Sequence, residues 1–89
     1  MKYRIPKLAL RDVIAIYWFD AHQSPDVYGA SKDLLDSEYK LCDVGFYIGQ
    51  SRQYLVIATE ADADSKDNFR HIHYIPKVNV IRIDKLGRA

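Results

Sequence analysis

Two histidines, His71 and His73, stand two residues apart in a segment rich in strand-forming residues. Side chains two positions apart on a strand project from the same face, so the two imidazoles would lie together. Asp20 and His22, which follow the first apolar run, would complete a His/His/carboxylate set of the kind that binds zinc or a related metal. A metal site needs three or four converging ligands, and the sequence supplies only one close pair. We therefore expect no metal and no other cofactor, and these residues stay as the candidate ligands should a metal bind.

The single cysteine, Cys42, is the other residue suited to chemistry, because a thiol paired with a histidine is a minimal nucleophile. Cys42 alternates with Val44 and Phe46, which predicts that it lies in the core, where a thiol is unreactive. The sequence has neither a glycine-rich phosphate loop nor a nucleophile elbow, and we assign no catalytic residue. One unpaired cysteine excludes a disulfide-stapled secreted scaffold and is typical of a reducing cytoplasm.

Charge is segregated along the chain, although 13 Lys and Arg against 12 Asp and Glu leave a net charge of only +1. Residues 1–11 carry +4, residues 12–68 carry −7 and residues 69–89 carry +4. The ends of a small barrel lie close together, so the basic segments would form one region for nucleic acid or a small nucleotide. The alternative is ordinary solvated cations, or basic ends that attract the acidic middle of a neighbouring subunit. The candidate residues are Arg4, Lys7, Arg11, Arg70, Lys77, Arg82 and Lys85.

Five segments that are rich in β-branched and aromatic residues or alternate in polarity predict strands. They are residues 13–19, 41–48, 54–59, 69–75 and 80–83. Pro76 ends the fourth strand because proline has no ladder donor, and Gly45 inside the second predicts a bulge or bend. Ser31 would cap a short helix over residues 32–38, in the long segment after the first strand.

These elements predict a single mainly β domain over residues 1–89. Their order favours a small SH3-like barrel of about five antiparallel strands, with one short helix in the long loop after the first strand. Closing or nearly closing the sheet would hide its edges and give a short chain one core. An open meander that carries the small helix is the alternative.

The first predicted strand is apolar on both faces, which is typical of a central strand or of one whose second face meets a partner. Partly exposed tyrosines elsewhere also favour interfaces. The candidate interface residues are Ala15, Tyr17, Phe19, Tyr47 and Tyr54.

Four motifs follow one another along the chain. They are Trp18-Phe19-Asp20-Ala21-His22, Val44-Gly45-Phe46-Tyr47-Ile48, Tyr54-Leu55-Val56-Ile57-Ala58, and Ile75-Pro76-Lys77 with spaced Val80, Ile83 and Leu86. In this order the chain resembles small uncharacterised proteins encoded by bacteriophages and prophages, which run W-x-D-A/S-H/S, V-G-W/F and I-P-K-x-x-I-x-x-I-x-x-L. The resemblance spans about residues 13 to 86 and implies a phage or mobile-element origin. By analogy it implies host manipulation or counter-defence, with no activity to transfer to residues.

The sequence favours a non-enzymatic interaction module that binds a host or phage protein in the host cytoplasm, as a homo-oligomer. One alternative is a binder of nucleic acid or a small nucleotide through the terminal basic region. Another is a metal-dependent enzyme that uses the His71/His73 pair. The uncharged run that follows the N-terminal segment, residues 13–19, is far shorter than the roughly 20 residues that cross a bilayer, so we expect no membrane partner.

Overall fold

The computed structural model describes residues 3–20 and 39–88, which form five strands and one turn of 3-10 helix. All five predicted strands are confirmed, and the last runs further than predicted. The helix predicted over residues 32–38 lies outside the described residues. The elements are β1 (Asp12–Asp20), β2 (Tyr39–Gln50), β3 (Tyr54–Ala61), β4 (Phe69–Pro76), the 3-10 turn Lys77–Asn79, and β5 (Val80–Arg88). No helix in these ranges is long and apolar enough to span a membrane.

The strands form one antiparallel sheet in the order β4-β3-β2-β1-β5. Within the described ranges β4 and β5 are its edges and do not pair, so the expectation of a closed barrel is wrong. At the β5 edge, the N-terminal segment contacts part of the strand instead of β4. The Tyr3 hydroxyl accepts a hydrogen bond from the Ile83 backbone N–H at 3.3 Å and lies 3.5 Å from the Ile83 carbonyl oxygen.

The hydrophobic core lies on one side of this sheet, which we call the inner face. Each of the five strands contributes to it, and full burial of one such side chain stabilises the fold by about 1.5–3 kcal/mol. The N-terminal segment adds Tyr3, Ile5 and Leu8, and Trp18 packs against the same cluster. The buried members are Ile14, Ile16, Tyr47, Leu55, Ile57, Ile75, Val80 and Ile83.

The face of β2 that packs against the core is the opposite of the predicted one. Its register with β1 places Ile14 opposite Gly45 and Ile16 opposite Asp43. Residues directly opposite in an antiparallel pair share a face of the sheet, so the odd-numbered residues of β2 lie on the inner face. Alternation along β2 defines two faces, but only the pairing with β1 determines which face is inner.

This register corrects two predictions about β2. The Cys42 side chain is exposed, so its placement in the core is wrong. Tyr47 is only 6% exposed and belongs to the core, so its interpretation as a partly exposed interface residue is wrong. Val44, on the same face as Cys42, is 49% exposed.

Gly45 is required by the close approach of β3. A β-carbon at this position would lie 2.6 Å from the Ala58 carbonyl oxygen and 3.3 Å from Ile57 Cδ1. The β1–β2 register continues through Gly45, whereas the register shift between β2 and β3 falls between Tyr47 and Gly49. The bulge predicted at Gly45 therefore lies further along the strand, and the glycine serves to admit a neighbouring backbone.

We expect Gly45→Ala to lower the free energy of unfolding by about 1–3 kcal/mol, because the added methyl group overlaps a backbone carbonyl that cannot rotate away. Urea denaturation followed by tryptophan fluorescence measures the change. Gly87→Ala is the matched control, since nothing lies within 4 Å of a β-carbon there, and its effect should stay within about 0.5 kcal/mol. Equal effects of the two substitutions would contradict the close-approach explanation.

Candidate interaction surface

The side of the sheet away from the core is apolar where β1 meets β2. Ala15 lies opposite Val44 and Tyr17 lies opposite Cys42. Ala15 is small and only 3% exposed, whereas Val44 beside it is 49% exposed. The surface therefore has a shallow depression at Ala15 next to the protruding apolar side chain of Val44. β5 borders it with charged residues. We call this surface the outer patch, and its residues are Ala15, Tyr17, Cys42, Val44, Arg82 and Asp84.

An arginine from β5 covers the aromatic ring of this patch. The guanidinium carbon of Arg82 lies 4.2 Å from the centre of the Tyr17 ring, a cation–π contact. Arg82 Nη2 is 3.2 Å from Asp84 Oδ2, so both charges stand on the border of the apolar surface. The contact with Tyr17 and the nearby Asp84 carboxylate raise the pKa of Arg82, which keeps the guanidinium charged.

The remaining predicted interface residues lie apart from the centre of the patch. Phe19 is half-buried and pairs with Lys40 at the far end of β1. Tyr54 lies on β3, where its ring packs edge-to-face on Tyr74 with centroids 6.2 Å apart. The structure therefore keeps Ala15, Tyr17 and Phe19 of the predicted set in one row on the outer side of β1, with Phe19 beyond the patch, and places Tyr54 and Tyr47 elsewhere.

Two of the predicted anion-binding residues meet at the junction of the terminal segments. Lys85 Nζ donates to the Lys7 carbonyl oxygen at 3.4 Å. Together with Arg88 they line a cavity of about 190 Å³. Arg4 is exposed on the same N-terminal segment. We call Lys7, Lys85 and Arg88 the basic cluster.

Arg11 is directed to a different part of the molecule. Its Nη1 donates to the carbonyl oxygens of Asp62 and Ser65 at 3.2 and 3.0 Å, in the loop between β3 and β4. Its guanidinium carbon lies 6.0 Å from the Phe46 ring centre and 5.9 Å from that of Phe69. This side chain therefore fastens a loop to the sheet.

The other three predicted cations are placed singly. Arg70 forms an ion pair with Glu60 across the β3–β4 pair, and Arg82 belongs to the outer patch. Lys77 lines a separate cavity of about 530 Å³ that also contains Arg52, a cation that was not among the predicted residues. Arg70 lies on β4 at one edge of the sheet and Arg82 and Lys85 lie on β5 at the other, so the seven residues do not form one basic face.

Asp12 is the functional-site residue that sequence reasoning missed. Its side chain is 1% exposed, and Oδ2 accepts a hydrogen bond from the Ala9 backbone N–H at 2.8 Å. Lys85 Nζ and Arg88 Nε each lie 3.5 Å from its carboxylate oxygens. The Ala9 hydrogen bond, with help from the charges of Lys85 and Arg88 and against the cost of burial, holds the pKa of Asp12 below its usual value. The signal in the sequence was an acidic residue placed between a basic segment and an apolar strand.

The histidine pair does not extend to a metal site in the described ranges, where no group of three or more His, Cys, Asp or Glu side chains converges. His71 Nε2 lies 3.8 Å from Glu60 Oε2. The backbone of His71 has a φ of 59°, so regular strand alternation is interrupted at this residue. The other two candidate ligands, His22 and the side chain of Asp20, lie outside the described part of the chain.

We expect Asp12→Asn to lower the midpoint of thermal unfolding and to flatten its acid dependence. Because folding lowers the pKa of Asp12 from 3.8, the stabilisation by its carboxylate is complete above that value. It is lost as the pH falls through the lower pKa of the folded protein. Thermal unfolding between about pH 2 and pH 7 measures this, with Asp64→Asn in the exposed β3–β4 loop as the control. An unchanged acid slope in Asp12→Asn would contradict the assigned role.

Comparison with known proteins finds no relative: no family model, no curated protein and no solved structure matches the chain. No residue role is therefore carried over from another protein. The outer patch and the basic cluster are identified from the geometry of this chain alone.

Proposed function

We propose that this protein is a non-enzymatic interaction module that self-associates through the outer patch and binds a host or phage protein. The observation that carries the proposal is the apolar surface at Val44 beside Ala15 and Tyr17. Apolar surface on a folded domain that is bordered by charged residues is typical of a protein contact site. Val44 is 49% exposed, and burial of that exposed half against a partner is favourable.

A second copy of the chain is the partner that best fits the outer patch. In a twofold-symmetric dimer the same patch is used on both subunits, so it must complement itself in shape and charge. Arg82 and Asp84 place opposite charges side by side on the border, and two copies related by a twofold axis can exchange this pair. Two sheets that pack through such faces lie about 10 Å apart, which leaves room for Val44 and Tyr17 to interdigitate.

We further propose an SH3-like arrangement and an origin in a bacteriophage or prophage. The strand order and the single 3-10 turn before the last strand support the first. The ordered motifs from Trp18 to Leu86 support the second, and with it action on a host protein in the host cytoplasm. Counter-defence is the process that this origin favours.

Val44→Glu is expected to raise the dissociation constant of the dimer at least about tenfold, equal to about 1.4 kcal/mol, because it places an unpaired charge at the centre of the interface. Sedimentation velocity over a range of protein concentrations measures the constant. The control is Val78→Glu, which introduces the same charge at a residue 69% exposed on the 3-10 turn. A protein that is monomeric at all concentrations, or equal effects of both variants, would refute self-association through the patch.

Cys42 offers an independent readout, since the only thiol of the chain is exposed on the outer patch. A short bis-maleimide should link the two subunits of the dimer through this residue. Val44→Glu should reduce the yield of linked dimer and Val78→Glu should leave it unchanged. A cross-link yield that does not depend on Val44 would indicate random collision.

The basic cluster supports a second candidate function, binding of an anionic ligand such as single-stranded nucleic acid or a nucleotide. Lys85 and Arg88 contact one buried carboxylate, and Lys7 lines the same cavity as these two cations, so the cluster keeps a net positive charge. Lysine and arginine side chains held close together attract phosphate groups. Lys85 and Arg88 also stabilise Asp12, whereas Lys7 contributes its side chain without such a contact among the described residues.

Lys7→Glu is therefore the variant that tests anion binding without removing an ion pair to Asp12. Fluorescence anisotropy with a labelled oligothymidine at low ionic strength should show affinity reduced about tenfold, with a smaller dependence on salt. Lys66→Glu, an exposed lysine in the β3–β4 loop, is the charge-matched control. No binding by the unchanged protein, or equal losses in both variants, excludes a nucleic-acid site at the cluster.

A further inference from the structure

β4 is the edge of the sheet that no described element covers. Five consecutive residues, Arg70 to Tyr74, are exposed, and β4 pairs only with β3. The opposite edge differs, because the hydroxyl of Tyr3 meets the backbone N–H and carbonyl groups of Ile83. An open edge is a template for a further strand, and natural proteins usually block it unless it is used.

The hydrogen-bond phase of the β3–β4 pair shows which backbone groups are open. Lys77 N–H donates to the Gln53 carbonyl oxygen at 2.8 Å, so these two residues form a hydrogen-bonded pair. Such pairs alternate with non-bonded pairs along an antiparallel ladder. The register then leaves the N–H and carbonyl groups of Ile72 and Tyr74 pointing away from β3. Two donors and two acceptors therefore face outward over three residues of regular strand.

Side chains beside these groups supply an apolar surface for an added strand. Ile72 is 40% exposed and Tyr74 is 65% exposed, and they project from the same side of β4. The edge-to-face contact with Tyr54 fixes the ring of Tyr74. Cross-strand pairs between aromatic and β-branched residues stabilise a sheet, so an added strand gains from valine or isoleucine at alternate positions.

Charge determines which strand fits. The end of β4 adjoins a groove of about 530 Å³ that is lined by Arg52 and Lys77 together with Tyr54 and Pro76, and also by Tyr3 and Ile5 of the N-terminal segment. The acidic residue paired across this edge, Glu60, is already matched by Arg70. A second copy of β4 would bring the same cations to the edge, whereas an acidic segment would be attracted to it.

We infer that the β4 edge binds an extended acidic peptide segment, which adds to the sheet as a sixth strand. Its backbone pairs with Ile72 and Tyr74, its alternate apolar side chains cover the same two residues, and its carboxylates reach Arg52 and Lys77 in the groove. Strand addition of this kind takes affinity from main-chain hydrogen bonds and specificity from side-chain pockets. None of these residues belongs to the outer patch. Peptide binding at the β4 edge is therefore a function beyond self-association and can be tested independently of it.

The test uses three fluorescein-labelled peptides: one that alternates glutamate with valine, one with lysine in place of glutamate, and one with glutamate and N-methylated valines. Anisotropy titration at about 0.15 M salt, where surface charges are already partly screened, gives the affinities. The acidic peptide should bind at least about tenfold more tightly than the lysine peptide. N-methylation should abolish binding, because it removes the donors for the edge. Amide chemical shifts should move most at Ile72 and Tyr74.

The double variant Arg52→Glu/Lys77→Glu should weaken the acidic peptide at least about tenfold and favour the lysine peptide. Lys66→Glu, at the other end of β4, controls for net charge and should change neither affinity by more than about twofold. Circular dichroism confirms that each variant is folded. Three results would overturn the inference: no binding of the acidic peptide below about 1 mM, tolerance of N-methylation, or no change of preference in the double variant.

Discussion

The central position of β1 is the constraint on which the other features depend, because this strand pairs with β2 on one side and with β5 on the other. A strand held from both sides presents two complete rows of side chains, and in β1 both rows are apolar. Ile14 and Ile16 are fully buried in the core, whereas Ala15 and Tyr17 face the other side of the sheet. There the cover consists of cross-strand neighbours, of which the Arg82 guanidinium is the largest. The outer patch is thus a consequence of placing a doubly apolar strand at the centre of a sheet whose described elements form a single layer.

Asp12 lies where the basic N-terminal segment, β1 and the end of β5 meet, and its charge allows them to meet. Lys85 and Arg88 would repel the other cations of the junction if no counter-charge lay beneath them, and the buried carboxylate supplies it. Arg11 precedes it with a φ of 72°, and the two neighbouring side chains have different partners: Arg11 reaches the β3–β4 loop and Asp12 contacts β5. The charge segregation of the sequence is therefore partly balanced inside the fold, and only Lys7 of this junction keeps an uncommitted side chain among the described residues.

Local patterns predicted the strands well because β-branched runs, Pro76 and the turn residues act through the backbone nearby. The same patterns did not predict faces, edges or clusters, which depend on pairing between distant segments. The alternation of Cys42 with Val44 and Phe46 predicts a core position, yet Gly45 in the other row is the residue that admits the β3 backbone. Whether the sheet closes was equally beyond local pattern, because it depends on contacts between distant segments, such as that of Tyr3 with Ile83 at the β5 edge. The predicted basic region failed as a single surface for a similar reason: residues close in sequence to the termini alternate between faces and edges.

The open edge of β4 is limited by an irregularity in its own backbone. A non-glycine residue with positive φ, here His71 at 59°, costs of order 1 kcal/mol and persists where surrounding contacts determine it. Glu60 provides such contacts, since it pairs with Arg70 and lies 3.8 Å from His71. The uninterrupted stretch next to the groove therefore runs from Ile72 to the end of the strand, although the pairing with β3 resumes at Arg70 in the same register. An added strand therefore finds only a short ladder, and main-chain hydrogen bonds over so few residues are too weak to select a partner without help. Specificity for one peptide over another must therefore come from the groove at the end of the ladder, where cations and aromatic rings lie together.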